Sequence, residues 1–136
     1  MSALLPIGAR LVIEIHDLIL EQEPGLRGQH DVGPLEGALA RVDNLIQYQQ
    51  MDDVFEIAAM YAVALARGHC FNDANKRTAL VTALTYLDLQ GISIPRCDLL
   101  EDIMVDVAEG SLTQMELASL LYAMYDVQAE ASTQDE

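Results

Sequence analysis

Residues 69–77 read HCFNDANKR, and how this stretch is read decides how the rest of the chain is arranged. A histidine, a carboxylate, carboxamides and two cations crowd into nine positions. Elsewhere the 136-residue chain is apolar or acidic, with 22 Asp and Glu against six Arg and a single Lys. That lysine is Lys76, and Arg77 stands beside it. The stretch is either an odd piece of helix or a place that holds something anionic.

The flanks decide what kind of place it is. Upstream, Val54 to Ala66 is apolar almost all round, with Glu56 as its one charge. Such a helix belongs at the centre of a bundle. Asp52 and Asp53 open it, and Arg67 with Gly68 ends it. Downstream, Thr78 to Gln90 is helical again, with Gly91 at its stop. Gly68 to Asp73 is therefore a tight loop between two helices, with Asn72 or Asp73 as the natural cap of the second.

Further out, Leu11, Val12, Ile15, Leu18 and Ile19 recur at helical spacing, which predicts a helix over 7–22. His16 shares that helix with core residues and reads as structural. Glu23 to Gly33 reads as a loop. Asp31 ahead of Pro34 starts a short helix to about Arg41. Asn44 to Met51 (NLIQYQQM) has weak helical signals and reads as a loop or a short hairpin. Asp98 to Glu109 is a helix ended by Gly110. Thr113 and Glu116 form a capping box for a last helix to about Tyr125. The acidic tail, 128–136, is expected to be disordered, and 1–127 to be one domain.

Composition agrees with helices packed on helices. Just over half the chain, 51%, is hydrophobic, with no Trp, four Pro and eight Gly. The expected fold is an all-α, compact single-domain bundle of about six helices, with room for one hairpin flap. A formal net charge of −15 excludes DNA, RNA and anionic lipid as direct partners. The two cysteines, Cys70 and Cys97, have no metal-site spacing. The start, MSALLPIGAR, lacks a signal peptide's charged end and apolar run, so a soluble, cytoplasmic protein is expected.

In the stretch itself, the first-turn amides of the second helix lack intrahelical partners. With the helix dipole they form an anion site. Asn75, Lys76 and Arg77 add donors and charge for phosphate oxygens. Asp73 offers the single carboxylate that a phosphate-borne Mg2+ prefers. His69 can take a proton from a nucleophile. Phe71 would anchor the loop on the core. Singly, each has an ordinary role as loop histidine, cap or solvated cation. Together they supply what phosphoryl transfer needs: positioning, neutralised charge and a base.

These residues resemble the pattern H-x-F-x-D-A-N-K-R-T-A of the Doc (death-on-curing) family, toxins of the Fic superfamily. The match holds at His69, Phe71, Asp73, Ala74, Asn75, Lys76, Arg77, Thr78 and Ala79. It extends upstream through the pair His16-Asp17, Gly25 and Gly28, and Asp31, Leu35, Glu36, Ala38, Leu39 and Arg41. It covers about residues 8 to 125. The broader Fic pattern, H-P-F-x-[DE]-G-N-G-R-x-x-R, is departed from at Ala74, Lys76 and Leu80. The resemblance implies a Fic/Doc fold and a kinase. His69 would be the base, Asp73 the Mg2+ ligand, and Asn75, Lys76 and Arg77 the holders of ATP phosphates. The implied substrate is a threonine of elongation factor Tu, and the implied effect is blocked translation. AMP transfer, or a module that only binds, are the alternatives. No [ST]-x-x-x-E-[GN] run is present, so restraint is expected from a separate antitoxin protein.

Overall fold

The computed structural model describes residues 6–25, 32–71 and 73–134, with side chains to residue 128. The described chain forms six helices in order: α1 (Ala9–Gln22), α2 (Val32–Tyr48), α3 (Val54–Arg67), α4 (Asn75–Leu89), α5 (Asp98–Glu109) and α6 (Gln114–Gln134). No strand occurs among the described residues. None of the described helices is long and apolar enough to cross a membrane.

α3 is the hub, packed against α2, α4, α5 and α6. Its start is fixed by Asp53, whose Oδ1 accepts from the amides of Phe55 (2.8 Å) and Glu56 (3.2 Å). Behind that cap, Ile57 to Ala62 are buried without interruption, followed by Leu65 and Ala66. A helix can be buried this fully only when other helices cover several of its sides. α4 lies against it and buries Ala79, Leu80, Ala83, Tyr86 and Leu87. The small residues Ala58, Ala59, Ala62, Ala79 and Ala83 are all nearly inaccessible. Each fully buried Leu or Ile on these two helices contributes roughly 1.5–3 kcal/mol.

The C-terminal end of α3 is tied to the end of α5. Arg67 Nε–H donates to the Val107 carbonyl (2.9 Å), and Nη2–H to that of Leu112 (3.1 Å). Val107 lies in the last turn of α5, where its carbonyl also accepts from the Gly110 N–H, and Leu112 lies in the turn beyond. We expect Arg67→Ala to lower stability by about 1–2 kcal/mol. Thermal unfolding followed by circular dichroism reads this as a fall of several degrees.

Several boundaries differ from expectation. The stretch Asn44 to Met51 holds no hairpin: α2 continues through it to Tyr48. Leu35, Ala38, Leu39 and Val42 are buried, and Ile46 extends their row onto the core. Asn44, Leu45, Gln47 and Tyr48 face solvent. One apolar residue per turn was enough to continue the helix once a core lay beneath it. α2 ends at Tyr48, and the turn after it holds Gln50 at φ +51°. α4 begins at Asn75 rather than Thr78, and α6 runs past Tyr125 to Gln134. The capping box is present: Glu116 N–H donates to Thr113 Oγ1 (3.1 Å), and Thr113 N–H to Glu116 Oε1 (2.9 Å). The expected cap at Asp31 lies outside the described residues.

Candidate active site

The loop between α3 and α4 is framed by two residues in left-handed backbone. His69 has φ +50° and Ala74 has φ +65°. Neither is glycine, and left-handed backbone costs such a residue about 1–2 kcal/mol. The structure around the loop must therefore hold it.

Three contacts do so. Asn75 faces back across the loop: its Nδ2–H donates to the Phe71 carbonyl (2.9 Å), and its Oδ1 accepts from the Phe71 N–H (3.1 Å). Asp73 Oδ1 accepts from the Ala74 N–H (2.7 Å). The Phe71 ring is buried and stacks on His16, with centroids 3.9 Å apart and planes 10° apart. Cys70 is buried as well, and burial pushes its thiol up, against the opposing charge of Arg41. It has the environment of a structural thiol rather than a reactive one.

The cap of α4 differs from expectation. Asp73 was one of two expected caps of α4, but the N-cap is Ala74, with no side-chain cap bond. Asn72, the other, lies outside the described residues. The Asp73 carboxylate turns onto the neighbouring Ala74 amide instead. The N-cap Ala74 has no polar side chain to place over the first turn of α4, where an anion is favoured by the amides and the dipole. Ala74 occupies the first glycine position of the broader Fic pattern. Its φ explains a glycine preference there, since glycine adopts left-handed backbone freely. Ala74→Gly is expected to raise stability by about 1 kcal/mol, measured by urea unfolding.

Beside this helix start lies a cleft of about 570 Å³. His69, Asp73, Asn75, Lys76 and Arg77 all line it, and the other clefts described contain none of them. Its volume falls in the range of small-molecule sites. His69 and Lys76 are exposed to solvent. Asn75 holds Phe71 through both ends of its amide and carries a second N–H. Phe71 lies beneath the loop, outside the cleft lining. Glu101 and Asp102 of α5 form part of the opposite wall.

Arg77 is held from several sides. Its Nη1–H donates to the Pro24 carbonyl (2.9 Å), and the same nitrogen lies 3.6 Å from Glu23 Oε1. Its Nη2 lies 3.9 Å from Asp73 Oδ1. Glu23 is shared, because Arg96 grips its carboxylate bidentately at 2.8 and 3.0 Å. Arg96 also donates to Glu101. An ion-pair chain thus runs from the start of α4, through the end of α1, to α5. A side chain at Gly25 would crowd it: a Cβ there would lie 3.0 Å from Arg77 Nη2, 3.2 Å from Asp73 Oδ2 and 2.5 Å from Leu20 Cδ2.

Hydrogen bonding from Arg96, joined by the charges of Arg96 and Arg77, holds the Glu23 carboxyl below the ordinary 4.5, against a smaller opposing effect of burial. A carboxyl lowered on folding stabilises the fold above its unfolded value. That contribution is lost as pH falls through the folded value. The relevant window therefore lies below pH 4.5. Glu23→Gln is expected to cost about 1 kcal/mol or less at neutral pH, because the pair is partly exposed. The difference in unfolding temperature from the parent chain should shrink as pH falls below 4.5.

Among the described residues, no group of three or more His, Cys, Asp or Glu is arranged to hold a metal ion. Of the carboxylates lining the cleft, Asp73 stands beside the start of α4, and one half-exposed carboxylate there suits Mg2+. That ion takes few ligands from protein and the rest from water and phosphate.

Two participants were not singled out from sequence. Glu23 was read as the edge of a loop, and His16 as core. Besides its place in the matched His16-Asp17 pair, the signal for His16 was a polar ring on an apolar helix face.

Comparison with known proteins bears on this geometry. The family model described as "Fic/DOC family" matches residues 6–87. The chain is 40% identical over 114 residues to the protein named "Protein kinase doc" of Escherichia phage P1, covering 84% of this chain and 90% of that protein. It is 34% identical over 82 residues to "Toxin Doc" of Mycolicibacterium smegmatis, covering 57% of this chain and 63% of that one.

Proposed function

Because this chain belongs to the Fic/DOC family, we propose that it is the toxin of a toxin–antitoxin pair and transfers the γ-phosphoryl of ATP to a threonine hydroxyl of elongation factor Tu. The observation that carries this reading is the cleft in which His69, Asp73, Asn75, Lys76 and Arg77 meet at the start of α4. The relative named a protein kinase, 40% identical, supports the reaction type.

The chemistry asks little of the protein beyond placement. The threonine oxygen bonds to the γ-phosphorus. The bond from that phosphorus to its bridging oxygen breaks, and ADP leaves. The hydroxyl proton passes to His69. Lys76, Arg77 and the first-turn amides of α4 neutralise charge on the phosphate oxygens. Asn75 holds the loop to Phe71 and has one amide N–H left for an oxygen. Asp73 would hold Mg2+, which supplies further charge neutralisation on the phosphates.

Leu80 supports this reading over AMP transfer. The broader Fic pattern has an arginine at this position as an additional phosphate grip. Here the side chain is 1% exposed and belongs to the core. No [ST]-x-x-x-E-[GN] run exists in the chain to restrain the site, so we assign restraint to a separate antitoxin. Work on elongation factor Tu would place the protein in the cytoplasm.

The test uses ATP labelled at either the γ- or the α-phosphate, with Mg2+ and purified elongation factor Tu. Label from the γ-position alone is expected on the factor. Label from the α-position would establish AMP transfer instead. Label on neither, with the ATP bound, would reduce the chain to a binding module for this partner.

A further inference from the structure

α1 reaches the motif loop through His16, which is 3% exposed. Its Nε2 lies 3.1 Å from the carbonyl oxygen of Asp73, 57 positions away in sequence. A carbonyl and a carboxylate both only accept, so Nε2–H donates to Asp73, and Nδ1 bonds Asp17 only where it too carries a proton. The face of the same ring covers Phe71 at 3.9 Å. Its Nδ1 lies 3.1 Å from Asp17 Oδ1, at the exposed side of the helix. One ring thus meets both Phe71 and Asp73 of the loop.

The carbonyl it grips opens the peptide leading into Ala74, the residue with φ +65°. Backbone held away from its preferred region relaxes when its restraints are removed. An apolar ring could replace the stack on Phe71. It could not hold the Asp73 carbonyl. Asp73 and Asn75 lie on either side of Ala74, and His69 lies at the other end of the loop. A turn of this peptide would therefore displace the carboxylate and the start of α4 together.

We propose that His16 is a positioning residue: its Nε2–H, bonded to the Asp73 carbonyl, sets the loop that presents Asp73 and His69 to the cleft, and Asp17 orients the ring. The part concerning nucleotide rests on reading the cleft as a Mg2+–ATP site. The part concerning the loop does not.

Three variants separate the contributions. His16→Phe keeps the stack and removes the donor. His16→Gln restores a donor near the Nε2 position. Asp17→Ala changes an exposed side chain and leaves the core untouched. Hydrogen–deuterium exchange across residues 69–75 is read without ligand, and Mg2+–ATP affinity is read by calorimetry. In His16→Phe the loop is expected to exchange about tenfold faster while residues 57–62 of α3 stay protected. Affinity is expected to fall by about tenfold, with His16→Gln recovering most of both losses. Asp17→Ala shifts the loop in the same direction by less.

Unchanged exchange in His16→Phe would overturn the proposal. So would a His16→Gln variant as loose as His16→Phe, since packing rather than the bond would then hold the loop. Should His16→Phe fail to fold, unchanged loop exchange in Asp17→Ala would overturn it instead. A chain that transfers nothing to any acceptor would refute the functional reading and leave the exchange result intact.

Discussion

His69→Ala is expected to lower the proposed phosphoryl transfer by about 10²–10⁴-fold, the usual contribution of a general base. The variant is expected to keep its fold and the proposed affinity for Mg2+–ATP. His69 is solvent-exposed, so removing its ring vacates no core volume. Its backbone sits at φ +50°, and alanine is a poor occupant of that region. The variant therefore loses at most about 1 kcal/mol of stability. The groups proposed to bind phosphate, Lys76, Arg77 and the α4 amides, stay in place. Single-turnover transfer, calorimetric ATP binding and thermal unfolding measure the three quantities separately. Transfer by His69→Ala at the parental rate would remove the proton acceptor from the account. Lost nucleotide binding would mean the histidine positions phosphate instead.

Leu80→Arg has the largest expected effect on folding. Leu80 is 1% exposed on the face of α4 that meets the core, with Ala79 and Ala83 buried nearby. An arginine there buries a charge with no partner and overfills the site. The cost is at least about 4 kcal/mol. Set against a whole-domain stability of roughly 5–15 kcal/mol, that is enough to leave much of the chain unfolded or marginal. Leu80→Met, which conserves volume, is expected to cost less than about 1.5 kcal/mol. Urea unfolding of both variants, followed at 222 nm (~the helical signal), distinguishes them. The functional meaning is direct. The final arginine of the broader Fic pattern cannot be restored by one substitution, because this chain has used the position to build its core. A stable Leu80→Arg variant that gained AMP transfer would show that the position can face the cleft.

Much of the site was legible because its residues are close in sequence. His69 to Arg77 spans one loop and one helical turn, and the hydrophobic run of α3 announced a central helix on its own. Asp53 as a cap and the Thr113–Glu116 box were readable for the same reason, since capping is local chemistry. The end of α2 was not. Its last turns carry only Ile46 toward the core, and a helix whose burial comes from its neighbours has a weak pattern of its own. The cap of α4 was misread because the rule favours Asn or Asp, whereas here the Asp73 carboxylate turned onto the next amide. The grip of His16 on Asp73 and of Glu23 on Arg77 and Arg96 depends on helices that are distant in sequence. No spacing rule could have placed them together.

The proposed reaction is transfer of a phosphoryl group onto a protein hydroxyl. Its most direct test is the intact mass of elongation factor Tu after incubation with this protein, ATP and Mg2+, with His69→Ala run alongside. The account predicts a gain of one phosphate, about 80 Da, with the parent chain and none with the variant. A gain the size of AMP, or a phosphate gain that persists in His69→Ala, would contradict it.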